Sequence, residues 1–204
     1  MRAIFLFLLI ILCAIPASAQ DTVETLLARA SQGMRETRSL EAAFRQEKRI
    51  PFLDLPLMAE GKLCFHVPQS SSPYIFWEYR DPSRSGFQYE GDSILIWSES
   101  SQKDVPAAEK GFLKALVTQM LHWIAFDQEA IDKEYILASV AGKTRTVQLT
   151  PRKASPVFKT IELEFSEDFA TLSRIIMTGP QEDLTILTFQ PLSINADLSG
   201  DCRR

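Results

Sequence analysis

The chain has 204 residues, of which 46% are hydrophobic and 24% are charged, and its formal net charge is −4. This length is enough for one domain with a real core. The acidic balance, without a block of Lys and Arg, argues against nucleic acid as a partner and against steady residence on an anionic membrane surface.

The N-terminus has the three parts of an export signal. Met1-Arg2 supplies a basic start, Ile4–Ile15 is an apolar stretch too short for a spanning helix, and Ala17-Ser18-Ala19 is a small-residue cleavage pattern. We therefore expect a signal peptide at 1–19 and a single soluble domain at 20–204. The signal predicts an exported compartment, such as a periplasm.

A helix and a series of strands are predicted in the first half of the domain. Asp21 and Glu24 resemble a capping box, and apolar residues at helical spacing continue to about Arg38. Alternating apolar and polar residues, separated by turn signals, then predict an antiparallel meander. Its strands begin near Leu40 and continue with Gly61–His66, Tyr74–Tyr79, Phe87–Glu90 and Ile94–Trp97.

The pattern changes after Pro106. Good helix formers with apolar residues at helical intervals predict a second helix over Ala107–Ile124, apolar over more than a narrow stripe. Strand alternation then returns, and the tail from Pro191 is predicted to be irregular. The strands expected here are Tyr135–Val140, Thr146–Leu149, Thr160–Phe165, Leu172–Met177 and Leu184–Phe189.

These elements indicate an α+β fold with one antiparallel sheet of about nine to eleven strands, which would normally curl. The two helices are available to fill its concave side, giving an incompletely closed barrel covered by helices. A flatter sandwich with helices on one face satisfies the same pattern.

Large apolar side chains are dense in the first sheet segment, beyond what closing a small core requires. The aromatic residues concerned are Phe44, Phe65, Tyr74, Phe76, Trp77, Tyr79, Phe87, Tyr89 and Trp97. Because a strand directs alternate side chains to opposite faces, this segment should build one broad apolar wall. A wall of that size calls for a partner or a ligand.

The residue types that commonly act in catalysis or bind metals do not form a recognisable catalytic or metal-binding motif in this sequence. Cys64 and His66 share a strand face without further metal ligands at a matching spacing, and no GxSxG motif accompanies His66 or His122. We expect no enzyme activity, cofactor or metal. Cys64 and Cys202 remain after signal cleavage and could pair in an oxidising compartment, although Cys202 lies near a tail that would ordinarily fray.

A succession of short motifs resembles the LolA family of periplasmic outer-membrane lipoprotein carriers. In order they are Phe44-Arg45-Gln46, Gly61-Lys62-Leu63 ahead of Pro68, Phe76-Trp77-Glu78-Tyr79 with Pro82, the Gly91 hairpin ending at Ile96-Trp97, and Leu149-Thr150-Pro151. The resemblance implies a half-open antiparallel barrel with a helical lid and a hydrophobic cavity for acyl chains. It also implies an inner-membrane loading complex and an outer-membrane acceptor. We expect the protein itself to be a monomer.

One position departs from the family pattern. The arginine that precedes the proline in well-known carriers, and helps to hold the lid shut, is replaced by Val67 ahead of Pro68. This chain is therefore more similar to divergent LolA-like proteins that accompany polyene or glycolipid export systems.

Strand parity and the resemblance together predict the lipid-binding residues. On the sheet they are Phe44, Leu63, Phe65, Ile75, Trp77, Phe87, Ile94 and Ile96, and on the second helix Leu116, Met120 and Trp123. Ordinary core packing is the competing interpretation of each. Three functions are compatible with such a wall: a carrier for lipoprotein acyl chains, a carrier for a glycolipid or polyene lipid, and a lipid-sensing or protein-binding regulator.

Overall fold

The computed structural model describes residues 22–67, 73–91, 93–99, 101–104 and 107–203. The predicted signal peptide at 1–19 and Asp21 of the predicted capping box lie outside these residues. The helices are α1 (Val23–Arg35), α2 (Ala107–Ile124) and α3 (Gln128–Glu134), followed by a short 3-10 turn at Gly200–Cys202. The strands are β1 (Ser39–Arg49), β2 (Leu57–His66), β3 (Tyr74–Asp81), β4 (Ser85–Glu90), β5 (Ser93–Ser98), β6 (Ser101–Asp104), β7 (Tyr135–Val140), β8 (Lys143–Pro151), β9 (Thr160–Phe165), β10 (Leu172–Thr178) and β11 (Leu184–Ile194).

All eleven strands belong to one antiparallel sheet in the order β6-β5-β4-β3-β2-β1-β11-β10-β9-β8-β7. Two meanders are thus joined where the first strand meets the last, from Leu40 opposite Ile194 to Arg49 opposite Leu184. The strands β6 and β7 form the two edges, so the curved sheet does not close into a barrel. The predicted α+β half-barrel is confirmed, and the flatter sandwich was the wrong alternative.

Alternation along the strands divides the sheet into an inner and an outer face. We define the inner face as the one that carries the main hydrophobic cluster, which includes Phe44, Leu63 and Trp77. The outer face carries a smaller cluster that includes Phe76 and Trp97. Because consecutive residues such as Phe76 and Trp77 enter different clusters, the strand register predicted from alternation is confirmed for β3.

The helices lie on the inner face, where their apolar residues complete the main cluster. Helix α1 begins at the N-cap Thr22, whose side chain accepts a hydrogen bond from the Thr25 N–H, and ends three residues earlier than predicted. Its buried residues recur at helical spacing: Leu26, Leu27, Ala30 and Met34. Helix α2 has the predicted bounds, and α3, which the sequence analysis missed, begins at the N-cap Asp127.

The C-terminal segment covers the outer face and is not a frayed tail. Strand β11 continues past the predicted break at Pro191 to Ile194, and Cys202 then forms a disulfide with Cys64 of β2. The hydroxyl of Tyr74 donates a hydrogen bond to the Cys202 carbonyl. The segment that follows β11 is therefore bound covalently and by hydrogen bonding to the outer side of the sheet.

Two buried carboxylates on the outer face are each paired with cations. Glu41 forms an ion pair with Lys62 at 2.9 Å, and Glu78, only 2% exposed, is bridged by Arg80 at 2.8 Å and Arg84 at 2.7 Å. Burial alone would raise the pKa of Glu78, but the two guanidinium groups outweigh that effect and hold the pKa below its ordinary value. The pairing leaves Glu78 charged at neutral pH.

Candidate functional site

An apolar cavity of about 250 Å³ lies between α2 and the inner face of the sheet. The sheet, the helix and the β8–β9 loop each contribute to its wall. The lining residues are Gln46, Trp77, Tyr79, Phe87, Leu116, Gln119, Met120, Trp123, Ile124, Val157, Phe158, Ile175, Met177 and Leu187. None of these described lining residues is charged, so the cavity is suited to a hydrocarbon ligand.

Stacked aromatic rings form the sheet side of the cavity. The rings of Trp77 and Phe87 are parallel, with centroids 6.4 Å apart, and Phe44 packs behind Trp77 at 4.2 Å. Gly61 permits this arrangement, because a Cβ atom there would collide with the Phe44 ring. A glycine in β2 thus lets Phe44 lie across the strand and support Trp77 from behind.

One face of α2 forms the opposite wall. Leu116, Met120 and Trp123 lie at the four- and three-residue spacings that place side chains on one side of a helix. The Trp123 ring meets Phe158 of the β8–β9 loop edge to face, with centroids 5.5 Å apart. The loop is itself fixed locally, because the Ser155 hydroxyl accepts hydrogen bonds from the N–H groups of Val157 and Phe158.

Two polar groups interrupt the apolar lining. At one, the hydroxyl of Tyr79 donates to Gln46 Oε1 at 2.9 Å. At the other, the Gln119 amide donates to the Tyr135 hydroxyl at 2.5 Å and to Glu134 at 3.0 Å. Burial raises the pKa of Tyr79, and burial followed by the nearby Glu134 charge raises the pKa of Tyr135 to about 12. Both phenols are therefore neutral hydrogen-bonding groups at physiological pH.

The structure divides the residues predicted to bind lipid into two groups. Those that line the cavity are Trp77, Phe87, Leu116, Met120 and Trp123. Those in the main cluster but not among the lining residues are Phe44, Leu63, Phe65, Ile75, Ile94 and, half-buried beside it, Ile96. All eight sheet residues are thus on the expected face, and the cavity extends along a smaller part of that face than predicted.

Several lining residues were not predicted. Ile175 and Met177 of β10 and Leu187 of β11 follow the same alternation rule, and extending that rule to the C-terminal strands would have found them. Val157 and Phe158 lie in a loop, where no periodicity indicates which way a side chain points. The residue that replaces the family arginine, Val67, is exposed, and its N–H donates to the Arg38 carbonyl at 2.8 Å.

An open antiparallel half-barrel with an apolar cavity beneath a helix is the architecture that the resemblance to the LolA family implies. The sequence profile of the family described as outer membrane lipoprotein carrier protein LolA matches residues 35–202. Because the match covers most of the chain, this protein belongs to the LolA family. No curated protein sequence matches it.

The solved structures that are similar to this chain share little sequence with it. The MucB chain in the Pseudomonas aeruginosa MucA/MucB complex is 14% identical, with a TM-score of 0.51; the match covers 88% of this chain and 59% of that chain. A LolA superfamily protein from Nitrosomonas europaea is 10% identical, with a TM-score of 0.43 and coverages of 88% and 96%. The Mycobacterium tuberculosis lipoprotein LppX is 15% identical, with a TM-score of 0.45 and coverages of 86% and 98%. This chain therefore spans about three-fifths of the MucB chain.

Among the residues that the structure describes, no helix is long and apolar enough to cross a membrane.

Proposed function

We propose that this protein is a soluble periplasmic carrier that shelters the acyl chains of lipoproteins in its cavity and transfers them towards the outer membrane. The observation that carries the proposal is the uncharged 250 Å³ cavity in a chain of the LolA family. A loading complex in the inner membrane and an acceptor at the outer membrane are part of the proposal.

Hydrophobic transfer energies explain why such a cavity is needed. At about 0.8 kcal/mol per buried methylene, an acyl chain of ~16 carbons costs on the order of 10 kcal/mol to hold in water. Non-directional contacts with side chains such as Met120 and Phe87 lower that cost without fixing the chain in one position. The cargo can then leave for an acceptor that binds it somewhat better.

The size of the cavity indicates that loading requires movement. Its 250 Å³ lies below the range of about 300–1,000 Å³ that is typical of pockets enclosing a whole small-molecule ligand. The sheet side is held by stacked rings, whereas α2 contributes a single helical face. We therefore expect α2 to move away from the sheet when a full acyl chain enters.

Mass spectrometry of the protein purified from its native compartment tests the proposal. A lipoprotein or another acylated molecule should be present at close to one per protein, and exposure to an unrelated soluble protein should not remove it. Protein that is consistently free of lipid, and that takes up none from membranes carrying lipoproteins, would contradict the carrier function.

A different lipid cargo is the first alternative, and Val67 is the residue that favours it. The lid of this chain cannot be held by the arginine found in housekeeping carriers, so its loading partner and cargo can differ. The same mass spectra distinguish the two cargoes, because a glycolipid or polyene lipid would replace the lipoprotein.

A regulator that binds a protein is the second alternative. The MucB structure at a TM-score of 0.51 was solved with MucA, and this likeness concerns the fold. Under this alternative the cavity would be empty after purification, and a protein partner would be recovered in its place.

A further inference from the structure

A second depression of about 390 Å³ adjoins the apolar cavity on the side of α3. Gln119 of α2 lines both spaces. The β8–β9 loop also lines both, with Val157 and Phe158 facing the apolar cavity and Arg152, Lys153 and Ser155 facing the depression. An amphiphile could therefore lie with its hydrocarbon in one space and its head group in the other.

The depression differs from the cavity in charge. It is lined by Lys133, Arg152 and Lys153 against the single carboxylate of Glu134. Lys133 is bridged to Glu129 at 2.8 Å and Glu134 offsets one more cation, so Arg152 and Lys153 leave the depression with a net excess of one positive charge. In a protein with a net charge of −4, this local excess favours an anionic group.

The position of Arg152 is fixed by the protein. Its Nε donates to the Asp132 carbonyl of α3 at 3.1 Å, and its own N–H donates to the Glu134 carbonyl at 2.8 Å. A guanidinium anchored through Nε still has its terminal nitrogens available to phosphate or carboxylate oxygens. Lys153, which is exposed, adds a second and more adaptable cation.

A buried donor on the cavity side lies against Tyr135, which lines the depression. Trp123 is 2% exposed and lines the cavity, and its indole Nε1 makes no hydrogen bond of normal geometry, although the Tyr135 hydroxyl is close enough to interact with it. A buried N–H with no acceptor at all costs about 1–3 kcal/mol, and the poorly placed Tyr135 hydroxyl offsets only part of that cost. An ester or phosphate oxygen of a ligand that spans the two spaces would satisfy it.

We propose that Arg152 and Lys153, with Gln119 and the Trp123 indole N–H at the boundary, form a head-group subsite for an acyl lipid that carries a phosphate or carboxylate. This inference rests on the proposed lipid-carrying function. Because the diacylglyceryl anchor of a lipoprotein has neither phosphate nor carboxylate, the inferred head group favours the alternative of another lipid cargo. The hydrocarbon lies against Met120 and Phe87, and the anionic head reaches the depression past Gln119.

Binding of matched amphiphiles tests this subsite. Oleoyl lysophosphatidic acid, oleate and neutral monooleoylglycerol share one acyl chain, and inorganic phosphate supplies the head group alone. We expect the two anionic lipids to bind at least tenfold more tightly than monooleoylglycerol, and inorganic phosphate not to compete at millimolar concentration. The double variant Arg152→Gln, Lys153→Gln should bring lysophosphatidic acid within about twofold of monooleoylglycerol and leave the neutral lipid unchanged.

Removal of two exposed cations elsewhere, Arg35→Gln with Arg38→Gln, is the matched control and should preserve the preference. Equal affinity for charged and neutral lipids, or the same loss in the control, overturns the subsite and leaves the carrier function standing. Competition by inorganic phosphate also overturns it, because the depression would then be a site for free phosphate. If none of the amphiphiles binds, both the subsite and the proposed function are wrong.

Discussion

A substitution at Met120 should affect ligand binding more than folding, because Met120 lines the cavity and is only half-buried. Met120→Arg would place a guanidinium against the hydrocarbon of a bound lipid. The long side chain can extend towards water, so we expect the free energy of unfolding to fall by only about 1 kcal/mol. If the new side chain displaces two or three methylenes at about 0.8 kcal/mol each, binding loses about 2 kcal/mol, or roughly 30-fold in affinity.

The assay combines a titration with a fluorescent fatty acid and urea unfolding of the same preparations. Ala115→Arg introduces the same charge on an exposed side of α2 and is the matched control. Ala115→Arg should change the acyl-chain affinity and the free energy of unfolding only slightly. If Met120→Arg lowers stability and binding in the same proportion, or if Ala115→Arg weakens binding as much, the assignment of Met120 to a ligand cavity is wrong.

Trp77 is a poor probe for this purpose, although the sequence makes it as attractive as Met120. Its ring is 3% exposed and packs against Phe44 and Phe87. Removal of a buried aromatic side chain costs about 3–5 kcal/mol, so Trp77→Arg should unfold the protein before any loss of binding can be interpreted.

Three other substitutions give independent tests. Leu116→Phe should fill part of the cavity, raise Tm by about 2–4 °C and weaken acyl binding; overpacking of a solid core would instead lower stability by about 1–3 kcal/mol. Cys64→Ser with Cys202→Ser removes a disulfide between residues 138 apart in sequence. Urea unfolding should show that the free energy of unfolding falls by about 2–5 kcal/mol, while acyl binding is retained. A loss of binding without a loss of stability would argue against a purely structural role for the disulfide. Because the pKa of Glu78 is lowered in the folded state, its stabilisation is complete above the ordinary carboxyl pKa and is lost as pH falls through the lowered value. Glu78→Gln should therefore be less stable than wild type at pH 7 and lose less stability between pH 5 and 3, and parallel pH profiles would contradict this account.

Alternation predicted much of the sheet because one face of each strand is buried. The bounds of Tyr135–Val140 and Thr160–Phe165 are those expected, and Phe44, Leu63 and Ile75 lie on the inner face as predicted. A one-residue error in register would have reversed those faces, so this agreement depends on the strong pattern in β1 to β3.

The break expected at Pro191 was wrong for a local reason. Pro191 lies opposite Ala42 where the register between β1 and β11 shifts, and such an irregularity tolerates a residue without an N–H donor. The strand therefore continues to Ile194 and directs the following segment to the outer face. The sequence alone does not predict that the strand continues past Pro191, because the continuation depends on which strand pairs with β11.

The cavity was harder to predict than the fold. Whether Phe65 or Phe87 contacts a ligand depends on how far α2 lies from each strand, and the spacing of apolar residues along the chain does not encode that distance. The β8–β9 loop adds Val157 and Phe158 to the wall through a serine-capped turn, which likewise has no periodic signal.

Fluorescence quenching by a brominated acyl chain tests the central claim most directly, since the three tryptophans occupy different places. Trp77 and Trp123 line the cavity, whereas Trp97 stacks on Phe76 in the outer-face cluster. In folded variants that retain one tryptophan and carry phenylalanine at the other two positions, so that an aromatic ring stays at each buried site, 9,10-dibromostearate should quench Trp123 and Trp77 strongly and leave Trp97 unaffected. Equal quenching of all three, or quenching of Trp97 alone, would mean that the acyl chain does not enter the space between α2 and the sheet.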